Sequence, residues 1–171
     1  MPAPIFIIRG APGAGKTTFA QKLRGSENAF IFETDNFFVD SVNRHDYHFD
    51  PKLLGIAHSW NQGEVIRACR DCPTVPVIVA NTFRQKRELK PYFEIAKMFN
   101  RKIFVFTLYT EHENVHGVPD EKVKQMRLGL QPFYLEDFPS EYPIAYSANV
   151  RTDDEAAKLT TLAHFKYFQR G

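Results

Sequence analysis

The chain has 171 residues, 43% hydrophobic and 25% charged, which is the size and composition of one globular domain and excludes intrinsic disorder. Its 22 Lys and Arg against 20 Asp and Glu leave a net charge of +2, too balanced to demand a nucleic-acid or membrane partner, while leaving room for a local basic patch. Two cysteines exclude a disulfide scaffold and fit a reducing compartment, no apolar run approaches the ~18 residues of a membrane helix, and the first apolar run ends at Arg9, too soon for a secretory leader. The expectation is one soluble, cytoplasmic domain spanning 1–171.

In chain order, residues 5–8 (Ile-Phe-Ile-Ile) form a continuous apolar run, the mark of a buried strand. Residues 17–23 predict a helix that closes near Gly25, and 29–32 a second strand. Helical spacing follows over 51–69, with Leu53, Leu54, Ala57, Trp60, Val65 and Ile66 recurring on one face. Residues 75–79 predict a third strand, 88–99 a helix with Tyr92, Ile95, Ala96 and Phe99 on one side, and 103–108 a fourth strand. Pro119 opens a short helix through Met126, since proline suits a first helical turn. The stretch 128–150 is rich in proline and aromatic residues, with a candidate fifth strand at 142–146. Asp153, Asp154 and Glu155 precede a last helix over 156–168, where acidic groups suit the positive helix end. Apolar strands alternating with helices predict an α/β fold, a central parallel sheet of about five strands covered on both faces. In such sheets ligands bind outside the carboxyl ends of the strands.

Just past the first strand stand Gly10, Ala11, Pro12, Gly13, Ala14, Gly15, Lys16 and Thr17, the phosphate-loop pattern G-x-x-x-x-G-K-[ST]. Glycines let consecutive backbone N–H groups converge on phosphate oxygens, and the following helix adds its positive end. Lys16 is the group to reach the β- and γ-phosphates of ATP, and the Thr17 hydroxyl the ligand for Mg²⁺. Thr18 completes this cofactor-binding set, and stands where a dinucleotide-binding G-x-G-x-x-G would carry its third glycine. The second strand ends Phe32-Glu33-Thr34-Asp35. Asp35 is the best-placed carboxylate to take a proton from an acceptor hydroxyl; the alternative is that it caps the next turn or orients water on magnesium.

Four blocks together resemble the polynucleotide 5′-hydroxyl kinase-like P-loop kinases, the family of the phage end-healing kinase. They are Gly10 to Thr17; Thr34-Asp35-Asn36-Phe37-Phe38; Val77-Ile78-Val79-Ala80-Asn81-Thr82 with the helix after it; and His116-Gly117-Val118-Pro119, in that order over residues 5–127. The resemblance implies a kinase-type three-layer P-loop fold, ATP-Mg²⁺ as donor, a nucleic-acid 5′-hydroxyl as acceptor, Asp35 as general base and a lid at about 109–119. The chain departs from the family at three places. Phe37-Phe38 replace the arginine that follows the catalytic aspartate, Ala80 replaces the aspartate of Asp-Asn-Thr, and Glu111, His112 and Glu113 stand where a lid arginine is expected. Arg84 and Arg127 are the candidates to act instead, with His116 a third acceptor or lid candidate.

The remaining motifs have plainer readings beside their functional ones. Arg84-Gln85-Lys86-Arg87 with Lys90 could track a phosphate backbone or form a solvated helix face. His45 to Asp50 reads as an acceptor loop or ordinary packing. His112-Glu113-Asn114-Val115-His116 fits H-E-x-x-H, but Gly117 and Pro119 discourage the helix that a zinc site needs. Cys69 and Cys72 lack a second pair and read as free thiols. The functional expectation is transfer of the ATP γ-phosphate to a nucleic-acid hydroxyl. The alternatives are a kinase of a small metabolite, nucleoside or modified base, and an ATP-binding module that transfers nothing.

Overall fold

The computed structural model describes residues 1–39, 48–112 and 117–168. Five strands, β1 (Ile5–Gly10), β2 (Phe30–Phe32), β3 (Val77–Asn81), β4 (Ile103–Leu108) and β5 (Ile144–Val150), lie in the order β2-β3-β1-β4-β5. All pairings are parallel, as the expected α/β three-layer architecture requires. The central strands β1, β3 and β4 are buried along their whole length, while the edge strands β2 and β5 are partly exposed. Continuous apolar runs belong where both faces are covered, and the three longest occupy the three central places.

Strand alternation divides the core. Ile5, Ile7, Val77, Val79, Ile103 and Val105 face α2 (Leu54–Asp71) and α3 (Lys90–Met98). Phe6, Ile8, Ile78, Ala80, Phe104 and Phe106 face α1 (Lys16–Arg24) and α5 (Asp153–Tyr167). A fifth helix, α4 (Asp120–Leu128), follows β4. The acidic residues expected before the last helix form its first turn, because the Thr152 side chain caps it by accepting from Glu155 N–H at 3.1 Å. Among the described residues no helix is long and apolar enough to cross a membrane.

The fifth strand starts later than its sequence suggests. Tyr142 instead leaves the strand line and joins an aromatic cluster around Phe93, with Phe133, Phe138 and Tyr142 ring centres 5.9, 4.8 and 5.8 Å away. The proline-rich stretch before β5 is thus a lid on the α3 side of the core, held by ring packing rather than by a backbone ladder. Cys69 is buried, Cys72 partly so, and both are free thiols; burial pushes the Cys69 thiol up to about 11, which makes it inert.

Arg9 follows Ile5 and Ile7 on the α2–α3 face, so β-alternation drives a cation into the core. It is fully buried, and donates to Phe83 O at 2.6 and 3.1 Å, to Gln131 O at 2.5 Å and to Thr107 Oγ1 at 3.4 Å. No carboxylate among the described residues forms an ion pair with it, and burial pushes its guanidinium down to about 10 against the weaker upward pull of Tyr109, Glu88 and Asp137. Arg9→Met would remove the donor from the buried Phe83 carbonyl, at about 1–3 kcal/mol, and from the part-buried Gln131 carbonyl at less, offset in part by relief of a desolvated charge. The expected result is a loss of roughly 2 kcal/mol in urea unfolding at pH 7; unchanged stability would show that these carbonyls find other donors.

Candidate functional site

The phosphate loop leaves β1 at the point where the chain turns to opposite sides of the sheet, since β1 lies between β3 and β4. Gly10 N–H donates to Thr82 O at 3.3 Å, which fixes the start of the loop against the end of β3. Gly13 and Gly15 have φ of +80 and +89, the left-handed region that glycine enters without a Cβ clash. Helix α1 then begins at Lys16 with no side-chain cap and no acidic residue in its first turn. Its free N–H groups keep their positive field for an anion.

Lys16 Nζ lies over the loop, donating to Gly10 O at 2.9 Å and Ala11 O at 3.0 Å. Desolvation pushes this ammonium down to about 8, against the upward pull of Asp35 and, less strongly, Glu33. Thr17 Oγ1 donates to Glu33 Oε1 at 2.8 Å. Glu33 is therefore the carboxylate beside the expected Mg²⁺ ligand. Its signal was present: it closes the same strand end, two residues before Asp35. Thr34 N–H donates to Asn81 Oδ1 at 2.7 Å, tying the end of β2 to the end of β3. That bond fixes the short 3₁₀ turn Thr34–Phe38, on which Asp35 faces the cleft.

The cleft has a volume of about 1180 Å³. Its lining includes the phosphate loop with Lys16 and Thr18, Asp153, Ala156 and Thr160 of α5, and His58, Gln62 and Tyr92 of α2 and α3. Small-molecule sites commonly occupy ~300–1,000 Å³, so this cleft has room for a nucleotide and a second molecule. Glu33 and Asp35 are on its wall, and so is Arg84. Arg127 is not: its guanidinium pairs with Glu111. His116 and residues 40–47, including half of the His45 to Asp50 segment, lie outside the described residues.

The described start of the expected lid is pinned to the phosphate loop. Thr110 Oγ1 donates to Ala14 O at 2.7 Å, His112 N–H donates to Gly13 O at 2.6 Å, and His112 Nε2 lies 3.0 Å from Asp153 Oδ1. A Cβ on Gly15 would meet the His112 ring at 3.0 Å. His112, within the expected lid, and Lys122 are both on the cleft wall; Lys122 belongs to no motif, and the contacts that hold His112 there are long-range. Residues 109–112 are not helical, and among the described residues no three His, Cys, Asp or Glu side chains converge on a metal. The donor set at Thr17 and Glu33 suits a hard cation held chiefly by phosphate oxygens, as Mg²⁺ is in nucleotide sites.

Residues 5–128 match the model of a family described as an AAA domain. Human NEDD4-binding protein 2 is 31% identical over 165 residues, 91% of this chain; the chain spans only 9% of that relative's length. Among solved structures, a putative kinase from Chloroflexus aurantiacus is similar with a TM-score of 0.64 at 12% identity, covering 99% of this chain and 100% of that one. The Pnkp1/Rnl/Hen1 RNA repair complex gives 0.61 at 19% identity over 84% of this chain and 48% of that one. A sugar kinase from Janibacter gives 0.51 at 13% identity over 97% of this chain and 96% of that one. At such identities the likeness establishes the fold, that of P-loop kinases. With its phosphate loop at the switch point of the sheet and nearly three quarters of its length within the matched region, the chain belongs to the AAA-domain family.

Proposed function

We propose that the protein is an ATP-dependent phosphotransferase whose acceptor is a hydroxyl of a small molecule, a nucleoside or metabolite. The observation that carries the reading is the meeting, on one cleft wall, of Lys16, the Thr17–Glu33 pair and Asp35. Gly10 to Thr18 hold the triphosphate of ATP, and Thr17, backed by Glu33, is the residue for Mg²⁺, which when bound neutralises phosphate charge. Asp35 takes the proton of the acceptor hydroxyl. The hydroxyl oxygen bonds to the γ-phosphorus while the bond from that phosphorus to the β-phosphate oxygen breaks, leaving ADP and a phosphate ester.

Two features support a small acceptor. Phe38 is buried against Phe49, and Phe37 packs on Trp60, so aromatic packing fills the turn after Asp35 where a phosphate-binding arginine would stand. Leu54, Pro91 and Tyr92 give the far end of the cleft an apolar lining, with His58 and Gln62 as its polar groups. A nucleic-acid 5′-hydroxyl is the second reading. Its support is the exposed Arg84, Arg87 and Lys90 beside the cleft, and the RNA repair complex among the structural relatives.

The experiment is transfer from γ-labelled ATP, at pH 7 with Mg²⁺, to three acceptor sets: nucleosides, sugars and 5′-hydroxyl oligonucleotides of DNA and RNA. The expected result is label in a nucleoside or sugar fraction. Label confined to oligonucleotides would favour the second reading. Tight ATP binding with no transfer to any set would make the protein a nucleotide-binding module.

A further inference from the structure

The turn after β3 carries several unfavourable features together, and all of them bear on Arg84. Phe83, just before it, sits at φ +47, a left-handed conformation that a bulky aromatic residue seldom adopts. The Phe83 carbonyl is gripped by the fully buried Arg9 guanidinium at 2.6 and 3.1 Å. The Arg84 carbonyl in turn accepts from Gln131 N–H at 3.2 Å. The backbone of this turn is thus held in a strained shape from two directions, and the side chain it carries lies on the cleft wall.

That side chain also has a seat. Gly129, which closes α4, has an ordinary φ of −86, so its backbone does not require glycine. Space does. A Cβ there would stand 2.6 Å from Arg84 Nε and 2.7 Å from Nη2. Two neighbouring cations are neutralised, Lys86 by Asp137 and Arg127 by Glu111, whereas Arg84, like Lys122 on the same cleft wall, makes no ion pair among the described residues. Strain, a desolvated clamp and a glycine seat all serve to hold one unpaired guanidinium at the rim of a phosphate cleft.

We infer that Arg84 is the catalytic cation that meets the phosphoryl group in transit, and that Gly129 is the positioning residue that seats it. The inference rests on the phosphotransfer reading above. In transit the phosphoryl charge spreads over three equatorial oxygens, and a planar guanidinium fork can donate to two of them at once. Lysine offers a point charge without the fork.

The test needs no knowledge of the acceptor. The dissociation constant of ADP-Mg²⁺ is measured for the full chain with and without aluminium fluoride, a planar mimic of the group in transit, and each variant is judged by its own ratio. The wild type is expected to bind at least about tenfold more tightly with fluoride, because a site complementary to the transition state prefers its mimic. Arg84→Ala is expected to reduce that gain to below about threefold, and Arg84→Lys to retain only part of it. Gly129→Ala, which leaves Arg84 in the sequence and moves only a flexible side chain, is expected to lose most of the gain as well. Failure of the wild type to bind ADP would overturn the phosphotransfer reading itself. Binding of ADP with no fluoride gain, or a gain preserved in Arg84→Ala, would leave the nucleotide site standing and overturn the role of Arg84. A gain lost in Arg84→Ala but kept in Gly129→Ala would uphold the cation and overturn its seat.

Discussion

Lys16→Met is expected to lower phosphate transfer by about 10³-fold or more and to weaken nucleotide binding severely, because among the described residues only the Lys16 ammonium bonds the loop carbonyls of Gly10 and Ala11. Methionine preserves the length of the stem and removes the charge, so the fold is expected to survive. A pH series gives the same prediction an independent form. In the free protein Lys16 is held down to about 8. Phosphate oxygens beside it favour the charged form and raise that value on binding. Below pH 8 the ammonium is protonated in both states, so nucleotide affinity is flat. Above pH 8 the free protein has lost the proton and binding must recover it, so affinity falls by about tenfold per pH unit until the bound form deprotonates too. Calorimetry at pH 7, 8 and 9, in buffers of different ionisation enthalpy, measures both the fall and the proton uptake. A wild-type profile flat to pH 9, or an equal descent in Lys16→Met, would remove Lys16 from the binding step.

The parts of this molecule readable from sequence are those set by local pattern. Ile5 to Ile8 could only be a strand covered on both faces, and Gly13, Gly15, Lys16 and Thr17 carry the phosphate loop in consecutive positions. Glu33 was visible in the strand end but gained its meaning only when its hydrogen bond to Thr17 was seen. His112, inside the expected lid, and Arg84, a candidate cation from its place after the third strand, can be named from sequence, but what holds them in place cannot. His112 reaches the loop through a backbone bond to Gly13, nearly a hundred residues earlier in the chain, and Arg84 is aimed by Arg9 and Gly129, which carry no motif. Tyr142 shows how local pattern misleads: it reads as strand, yet a ring cluster around Phe93 offers it more burial than the edge of the sheet. Pattern thus identifies the elements and the donor site. The rest of the cleft wall is assembled from tertiary contacts.

Asp35→Asn is expected to reduce phosphate transfer by about 10²–10⁴-fold, the range over which a positioned proton acceptor contributes. The substitution keeps the shape of the side chain, and with it any turn-capping hydrogen bonds that Asp35 accepts. A capping role alone therefore predicts near-normal turnover, and a proton-taking role predicts its loss. The two are further separated by a consequence for Lys16. Asp35 is the largest charge holding that ammonium up against desolvation, ahead of Glu33. Without it the free-state value falls below about 8, so the descent of nucleotide affinity in Asp35→Asn begins at lower pH than in the wild type. Glu33→Gln removes the weaker pull, so it is expected to move that descent less, while weakening the Mg²⁺ dependence of binding through the loss of the Thr17 partner. Full turnover in Asp35→Asn, with an unshifted pH profile, would leave Asp35 a structural residue and place the proton's destination elsewhere in the cleft, whose lining also holds His58.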